Sequence, residues 1–241
     1  IFMKKFVLHT FISLSVGFVA VSCKKQEPVK TEKSTANIQT IAADYYEGYL
    51  KLFPLEATSQ GDLRYNDQLP DNISPEFIAK EVEFYKSVQN KMKNVSYSDL
   101  SNDDKTVFDV LKYTLDDRIE AYRFHPEYIP FHQMGGLPLS FPLLGSGEGS
   151  QPFKTVKEYE DWLKRMQQFP AWMNSATENF KKGIAAKIVL PKKLVLKMIP
   201  QMRASEITSA DFEKNIFYGP VRKFPNDFSL KDKERLTELF K

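Results

Sequence analysis

Residues 74–92 read SPEFIAKEVEFYKSVQNKM, and this stretch decides the fold class. Ser74 offers a side-chain oxygen to the unpaired amides of a first turn, and Pro75 sits where no amide partner is needed. Glu76 places negative charge at the positive end of the helix dipole. Behind that start, Ile78, Val82, Tyr85, Val88 and Met92 recur at three- and four-residue spacing, which predicts an amphipathic helix with that stripe buried. Upstream, Asn37 caps a second stripe of Ile38, Ile41, Tyr45, Tyr49 and Phe53, which Pro54 stops. Downstream, Ser101 with Asp104 opens a helix carrying Val107, Leu111, Leu115, Arg118 and Tyr122. Thr155 with Glu158 does the same for Tyr159, Trp162, Leu163 and Met166. Pro170 is expected to kink or end that helix before Met173, Ala176, Phe180 and Ile184 resume the pattern as far as Lys187. Residues 188–190 are too short to assign and lead to a stripe of Leu194, Met198, Ile199 and Met202. Ser229 with Asp232 opens a last helix through Leu236, Leu239 and Phe240 that runs to Lys241 with no stop signal. No segment alternates with period two, and no Asn-Gly or Asp-Gly hairpin turn occurs. The expected fold is all-α: an irregular multi-helix bundle with one long ordered loop, truncated at its C-terminus.

The chain has 241 residues, 42% hydrophobic, 27% charged and 13% aromatic, which fills one ordinary core or two small ones and excludes a disordered or fibrous chain. Its 34 Lys and Arg against 31 Asp and Glu give a net charge of +3, and Lys4 and Lys5 supply two of those charges from a segment read below as a cleaved leader. A near-neutral chain with interspersed signs lacks the electrostatic footprint of a nucleic-acid binder. A single cysteine excludes an internal disulfide framework and a multi-cysteine zinc site.

That cysteine closes a leader-like segment. Ile1 and Phe2 precede Met3, which is read as the start; Lys4-Lys5 forms a positive region, residues 6–21 are mostly apolar, and Ala20-Val21-Ser22 leads into Cys23. Residues 1–22 are therefore expected to be a bacterial lipoprotein signal peptide, with Cys23 lipid-modified and the membrane its partner. A transmembrane anchor is the competing reading, but 16 residues rise only about 24 Å as a helix, short of the roughly 30 Å hydrocarbon layer. Residues 23–37, polar and poor in large apolar groups, read as a tether with a reach on the order of 20 Å. The folded part, residues 38–241, would then stand in the bacterial cell envelope, lipid-anchored and facing the periplasm or the cell surface.

Residues 125–153, HPEYIPFHQMGGLPLSFPLLGSGEGSQPF, hold five prolines, five glycines and two of the three histidines. No helix is expected through them, yet they are too apolar to stay unpacked, so they read as an ordered loop lining a cleft. His125, His132, Gln133, Gly135 and Gly136 are its candidate ligand-facing residues. The histidines are seven apart without a His-Glu-x-x-His pattern, so no metal ligand and no catalytic residue is assigned. Gly145-Ser146-Gly147-Glu148-Gly149 lacks the ending of a phosphate loop and reads as a flexible turn. Trp162, Met166, Trp172 and Met173 fall at core spacing, and Asp116-Asp117 diverge around a helix and read as solvated. Lys181, Lys182, Lys187, Lys192 and Lys193 read as a wet helix face, with contact to anionic lipid headgroups as the competing reading.

Several segments taken in order resemble the amino-terminal part of the bacterial domain of unknown function 885 family. They are FPLEATSQGDLRYNDQLPD at 53–71, Gln133-x-Gly135-Gly136, YEDWLKRMQQFPAWM at 159–173, KKGIAAKIVLPK at 181–192 and FPNDFSLKDKERL at 224–236. The most specific element is Pro54, Ala57, Thr58 and Gly61. The resemblance implies a longer, mostly helical protein, often a lipoprotein, similar to helical zinc metallopeptidases, with its His/Glu zinc motif in a carboxy-terminal half. This chain has no such pair, so no cofactor is expected in it, zinc is expected for the full-length protein, and the chain alone is expected to be inactive. Two expectations follow. One is the amino-terminal portion of a membrane-anchored peptidase-like hydrolase acting on peptides, contributing a cleft wall and awaiting its C-terminal half. The other is a non-catalytic helical lipoprotein that binds a ligand or protein partner through residues 125–153.

Overall fold

The computed structural model describes residues 37–241, apart from the side chains of residues 205 and 206. The expected leader, Cys23 and nearly all of the tether lie outside the described residues. From Asn37 onward the chain is helical, as expected, and no strand forms among the described residues. The helices are α1 (Ile38–Leu52), α2 (Pro54–Ser59), α3 (Pro75–Met92), α4 (Asn102–Ala121), α5 (Leu137–Leu144), α6 (Val156–Ala186), α7 (Lys192–Met202), α8 (Ser205–Thr208), α9 (Gly219–Arg222) and α10 (Leu230–Leu239). No helix among the described residues is long and apolar enough to cross a membrane.

Helix starts follow the local chemistry read from the sequence. Asn37, Ser74, Ser101 and Ser229 each accept a first-turn amide on their side chains, and Thr155 with Glu158 forms a complete capping box. α1, α3 and α4 enclose one core of Ile38, Ile41, Tyr85, Val88, Met92, Leu111 and Leu115. A second core gathers Leu69, Phe141 and Trp162, with Met166, Phe169, Phe217 and Phe240 packed on it. Trp162 and Trp172 are buried, which places them in packing as expected. Asp116 and Asp117 are exposed, Asp116 pairing with Lys112 at 2.6 Å.

Five expectations are corrected. On α3 the buried side is Phe77, Glu81, Tyr85, Val88 and Met92, with Ile78 and Val82 only half-buried. The stripe is rotated by one residue in its first two turns because Glu81 has polar partners inside. Pro170 does not end α6, which runs unbroken for 31 residues. Proline removes one amide donor and crowds the carbonyl of Met166, and buried Trp162 and Trp172 on either side hold the helix together across that gap. The loop at 125–153 contains α5 despite Pro138 and Pro142. Pro138 lies in the first turn, where amides lack helical partners anyway, so Pro142 costs a helix of this length one bond. The Gly145–Gly149 turn is fixed at its start rather than flexible, since Gly145 caps α5 and lies so close to the Trp162 indole that a Cβ would overlap it. The last helix, expected to run to the final residue, ends at Leu239, with the Phe240 amide donating to the Leu236 carbonyl at 3.1 Å.

Candidate functional site

A cleft of about 240 Å³ is walled on one side by Phe53, Pro54, Leu55 and Glu56, on another by Leu69, Pro70 and Asn72, and on the third by Gly136, Leu137 and Ser140. Its geometry depends on how residues 54–73 are held. Pro54 occupies the first turn of α2, Ala57 is fully buried, and α2 closes with the Gly61 amide on the Thr58 carbonyl (3.1 Å) and the Asp62 amide on the Ala57 carbonyl (2.9 Å). That pair of bonds is a Schellman closure, which needs a left-handed residue, and Gly61 supplies it with φ +83°.

One face of α6 then fastens the segment that follows. Arg165 donates to the Gln68 carbonyl (3.0 Å), the Tyr65 carbonyl (2.7 Å), Thr58 Oγ1 (3.0 Å) and Gln151 Oε1 (2.7 Å). Gln168 accepts from the Leu69 amide (2.9 Å) and donates to the Asp67 carbonyl (2.8 Å). Trp172 donates its indole proton to Asn72 Oδ1 (2.8 Å), Ser175 donates to Asp71, and Asn179 donates to the Ile73 carbonyl (2.8 Å). Spacings of three and four put these five side chains on one helix face, matched one after another to residues 65–73. The Thr58 hydroxyl has Asn66 Oδ1 at 2.6 Å and the Pro54 carbonyl at 2.9 Å as acceptors for its one proton.

The Arg165 side chain is fully buried and none of its four acceptors is a carboxylate. Burial pushes the guanidinium down to about 10, while the nearby charges of Asp67 and Asp161 pull the other way. Several groups keep unused capacity: Asp71 Oδ1 and Gln133 Oε1 are buried acceptors without a partner, and Asn66 Nδ2 and Gln151 Nε2 are buried donors without one.

The loop candidates are dispersed by the fold. Gly136 forms part of the cleft wall, with φ +117° and with Phe131 and Pro130 so close that no side chain fits. His132 pairs with Gly135 through reciprocal backbone bonds of 2.9 and 3.1 Å, and its Nδ1 accepts from the Met134 amide. The Gln133 carbonyl accepts from Gln201 Nε2 at 3.0 Å. His125 belongs elsewhere: in a left-handed conformation, it stacks on Tyr128 at 4.6 Å and meets Glu127 Oε1 at 2.9 Å. Among the described residues no group of three or more His, Cys, Asp or Glu side chains is placed to hold a metal ion.

Glu81, which no stripe includes, joins the stripe residues Tyr85, Arg118 and Tyr122 in a second polar centre. Glu81, 4% exposed, accepts from Tyr85 Oη and Tyr122 Oη, both at 2.5 Å, and Arg118 lies over the Tyr49 ring at 5.1 Å. Glu81, Arg118 and Tyr122 line a cavity of about 350 Å³ that reaches Pro126. Burial first, then the bond to Glu81, raises both phenols well above the ordinary tyrosine value.

The cleft is thus made by the segment carrying Pro54, Ala57, Thr58 and Gly61 together with Gly136. The sequence profile of a family described as a bacterial protein of unknown function, DUF885, matches residues 54–241. The chain belongs to the DUF885 family. No curated protein matches it. The family match begins at the proline that opens α2, and so takes in the whole α6-fastened segment and both remaining cleft walls.

The sequence reading missed the polar face of α6. Its signal is present as Arg165, Gln168, Ser175 and Asn179 at helical spacing beside the apolar stripe, a pattern that also describes an ordinary solvent-facing side.

Proposed function

We propose that this DUF885 chain is the substrate-side portion of an envelope hydrolase resembling helical zinc metallopeptidases, its cleft holding an extended peptide and its Cys23 carrying a lipid anchor. One observation carries the reading: the segment with which the family match begins, at Pro54, forms one wall of the cleft and is held in place from behind by Arg165. Apolar Phe53, Leu55, Leu69 and Leu137 suit alternate side chains of an extended ligand, and Asn72, whose Oδ1 is taken by Trp172, keeps its amide N–H groups for a peptide carbonyl. The described residues do not fit zinc: His125 is engaged with Glu127 and Tyr128, and His132 with its own turn. No catalytic step is assigned to them. In this reading they bind and orient the peptide.

The test compares this chain with the product of its natural gene in zinc content and in hydrolysis of quenched-fluorescence peptides. The reading expects zinc-dependent hydrolysis by the gene product, a raised KM with little change in kcat for Leu137→Trp, and no stoichiometric zinc on residues 1–241 alone. Tight zinc on the chain itself overturns it. A gene product with neither zinc nor hydrolysis but with peptide bound in the cleft replaces it with the non-catalytic binder. Cys23→Ala should release the protein from the membrane fraction, and unchanged fractionation removes the lipid anchor from the proposal.

A further inference from the structure

Between Glu178 and Glu206 the sequence carries six lysines and Arg203 and not one acidic residue, whereas the rest of the chain is net acidic. This is a sharp segregation of charge in a protein that is otherwise evenly mixed. The stretch folds into the end of α6, the turn at 187–191 and α7.

α7 has two apolar sides. Met198, with half-buried Leu194 and Met202, faces the protein, while Val195, Leu196 and Ile199 are 41%, 55% and 44% exposed. At 3.6 residues per turn these three fall within an arc of about 100° that also contains Lys192, and Lys193 and Lys197 follow beyond Leu196 on the solvent side, all three lysines exposed. Ile184, at 68% exposed, and Val189, at 56%, extend the same apolar surface. Beneath it opens a groove of about 250 Å³ lined wholly by apolar side chains, among them Ile129, Phe180, Ile188 and Met198.

An ordinary wet helix face looks different. On α4 the exposed side mixes signs, with Lys112 paired to Asp116, and Gln89 of α3 bonded to the same carboxylate. Along α7 no opposite charge is offered, and β-branched and leucine side chains stand between the lysines. Exposed apolar residues interleaved with lysines, with no carboxylate among them, suit a helix resting against an anionic headgroup layer. The apolar groups enter the acyl boundary while the lysine stems reach back to anionic phosphates.

We infer that the outer face of α7, with Ile184 and Val189, docks on an anionic phospholipid surface. The occupant is argued from charge complementarity, and the inference stands apart from the hydrolase reading and from lipidation at Cys23, since a lipid anchor alone would not place this particular face against the bilayer.

The experiment uses the full chain carrying Cys23→Ser, with one environment-sensitive fluorophore on Leu196→Cys or, as control, on Tyr113→Cys of α4; both positions are exposed. Vesicles containing phosphatidylglycerol should blue-shift the label at 196 and leave that at 113 unchanged. The shift should vanish on pure phosphatidylcholine and in high salt. Combining Lys192→Gln, Lys193→Gln and Lys197→Gln should weaken partitioning by roughly 100-fold, as three surface charges of this kind contribute. No shift at 196, or equal shifts at both positions, overturns the inference. So does a shift at 196 that appears without vesicles and grows with protein concentration, which would make a second copy of the chain the occupant.

Discussion

The three-helix core of α1, α3 and α4 and the region organised by α6 are held by different physics. The first is mostly apolar surface removed from water: Ile38, Tyr85, Val88, Leu111 and Leu115 pack together, and apart from Glu81 the chemistry is non-directional. The second has an apolar centre at Trp162 and Phe141, but its distinctive feature is a row of directional bonds from Arg165 to Asn179 that positions a chain segment with little regular structure. Packing of the first kind tolerates changes of shape at constant volume. A row of the second kind tolerates fewer, because the acceptors it leaves behind are buried at two of the Arg165 bonds and half-buried along the rest.

The largest expected effect breaks that contrast or confirms it. Arg165→Met should cost about 3–5 kcal/mol in chemical denaturation, since two buried and two half-buried acceptors lose their donor, and Arg165→Lys should recover little because an ammonium cannot reproduce the planar fork. Leu115→Met in the other core should cost less than about 1.5 kcal/mol. Equal tolerance at both positions would show that the two regions do not differ in this way.

High pH gives the next effect. Burial pushes Tyr159 up to about 12, and Tyr85 and Tyr122 are raised further. Above the ordinary tyrosine value of about 10 the unfolded chain loses these protons while the folded chain keeps them. The unfolded state then binds fewer protons, so the stability these groups contribute is complete below pH 10 and declines as pH rises through their folded values. Arg165, depressed to about 10, acts in the opposite sense over the same range, and the three phenols outnumber it. Ultraviolet titration of tyrosinate should show a delayed group of phenols whose ionisation coincides with loss of helical circular dichroism. Early, non-cooperative titration of every tyrosine would contradict the burial of both centres.

The smallest effect sharpens the comparison at the end of the row. Asn179→Ala removes the single bond to the Ile73 carbonyl and should cost about 1 kcal/mol. Its hydrogen-exchange signature should be confined to residues 71–75, leaving α4 unaffected.

What the sequence discloses follows the same division. Caps at Ser74, Ser101, Thr155 and Ser229 are local signals, set by atoms within a turn, and the structure has them where the sequence puts them, whereas the stripes behind them hold only in part: the α3 stripe is rotated at its start and Ile184 of α6 is exposed. Glu81 escaped because a carboxylate at a helical position reads as solvent-facing until Tyr122, on another helix, is known to meet it. Pro170 reads as a kink or an end, and the prolines of residues 125–153 as a bar to any helix, because their cost is local and the packing that offsets it is not. The cleft was half legible. The glycine at 136 and the segment opening at Pro54 were both singled out, but nothing in one-dimensional spacing says that they face each other. Nor does it separate His125, held beside Tyr128, from the turn at His132.

The bonds from α6 to residues 58–73 span 97 to 107 positions along the chain. A polypeptide delivered amino end first therefore presents Thr58–Ile73 long before anything exists to receive it, while α1, α3 and α4 can already find one another. The order of assembly is built into that separation. Distant closures are slow to form, so this segment is expected to settle last during folding and to be the place where a chaperone or protease meets the immature protein.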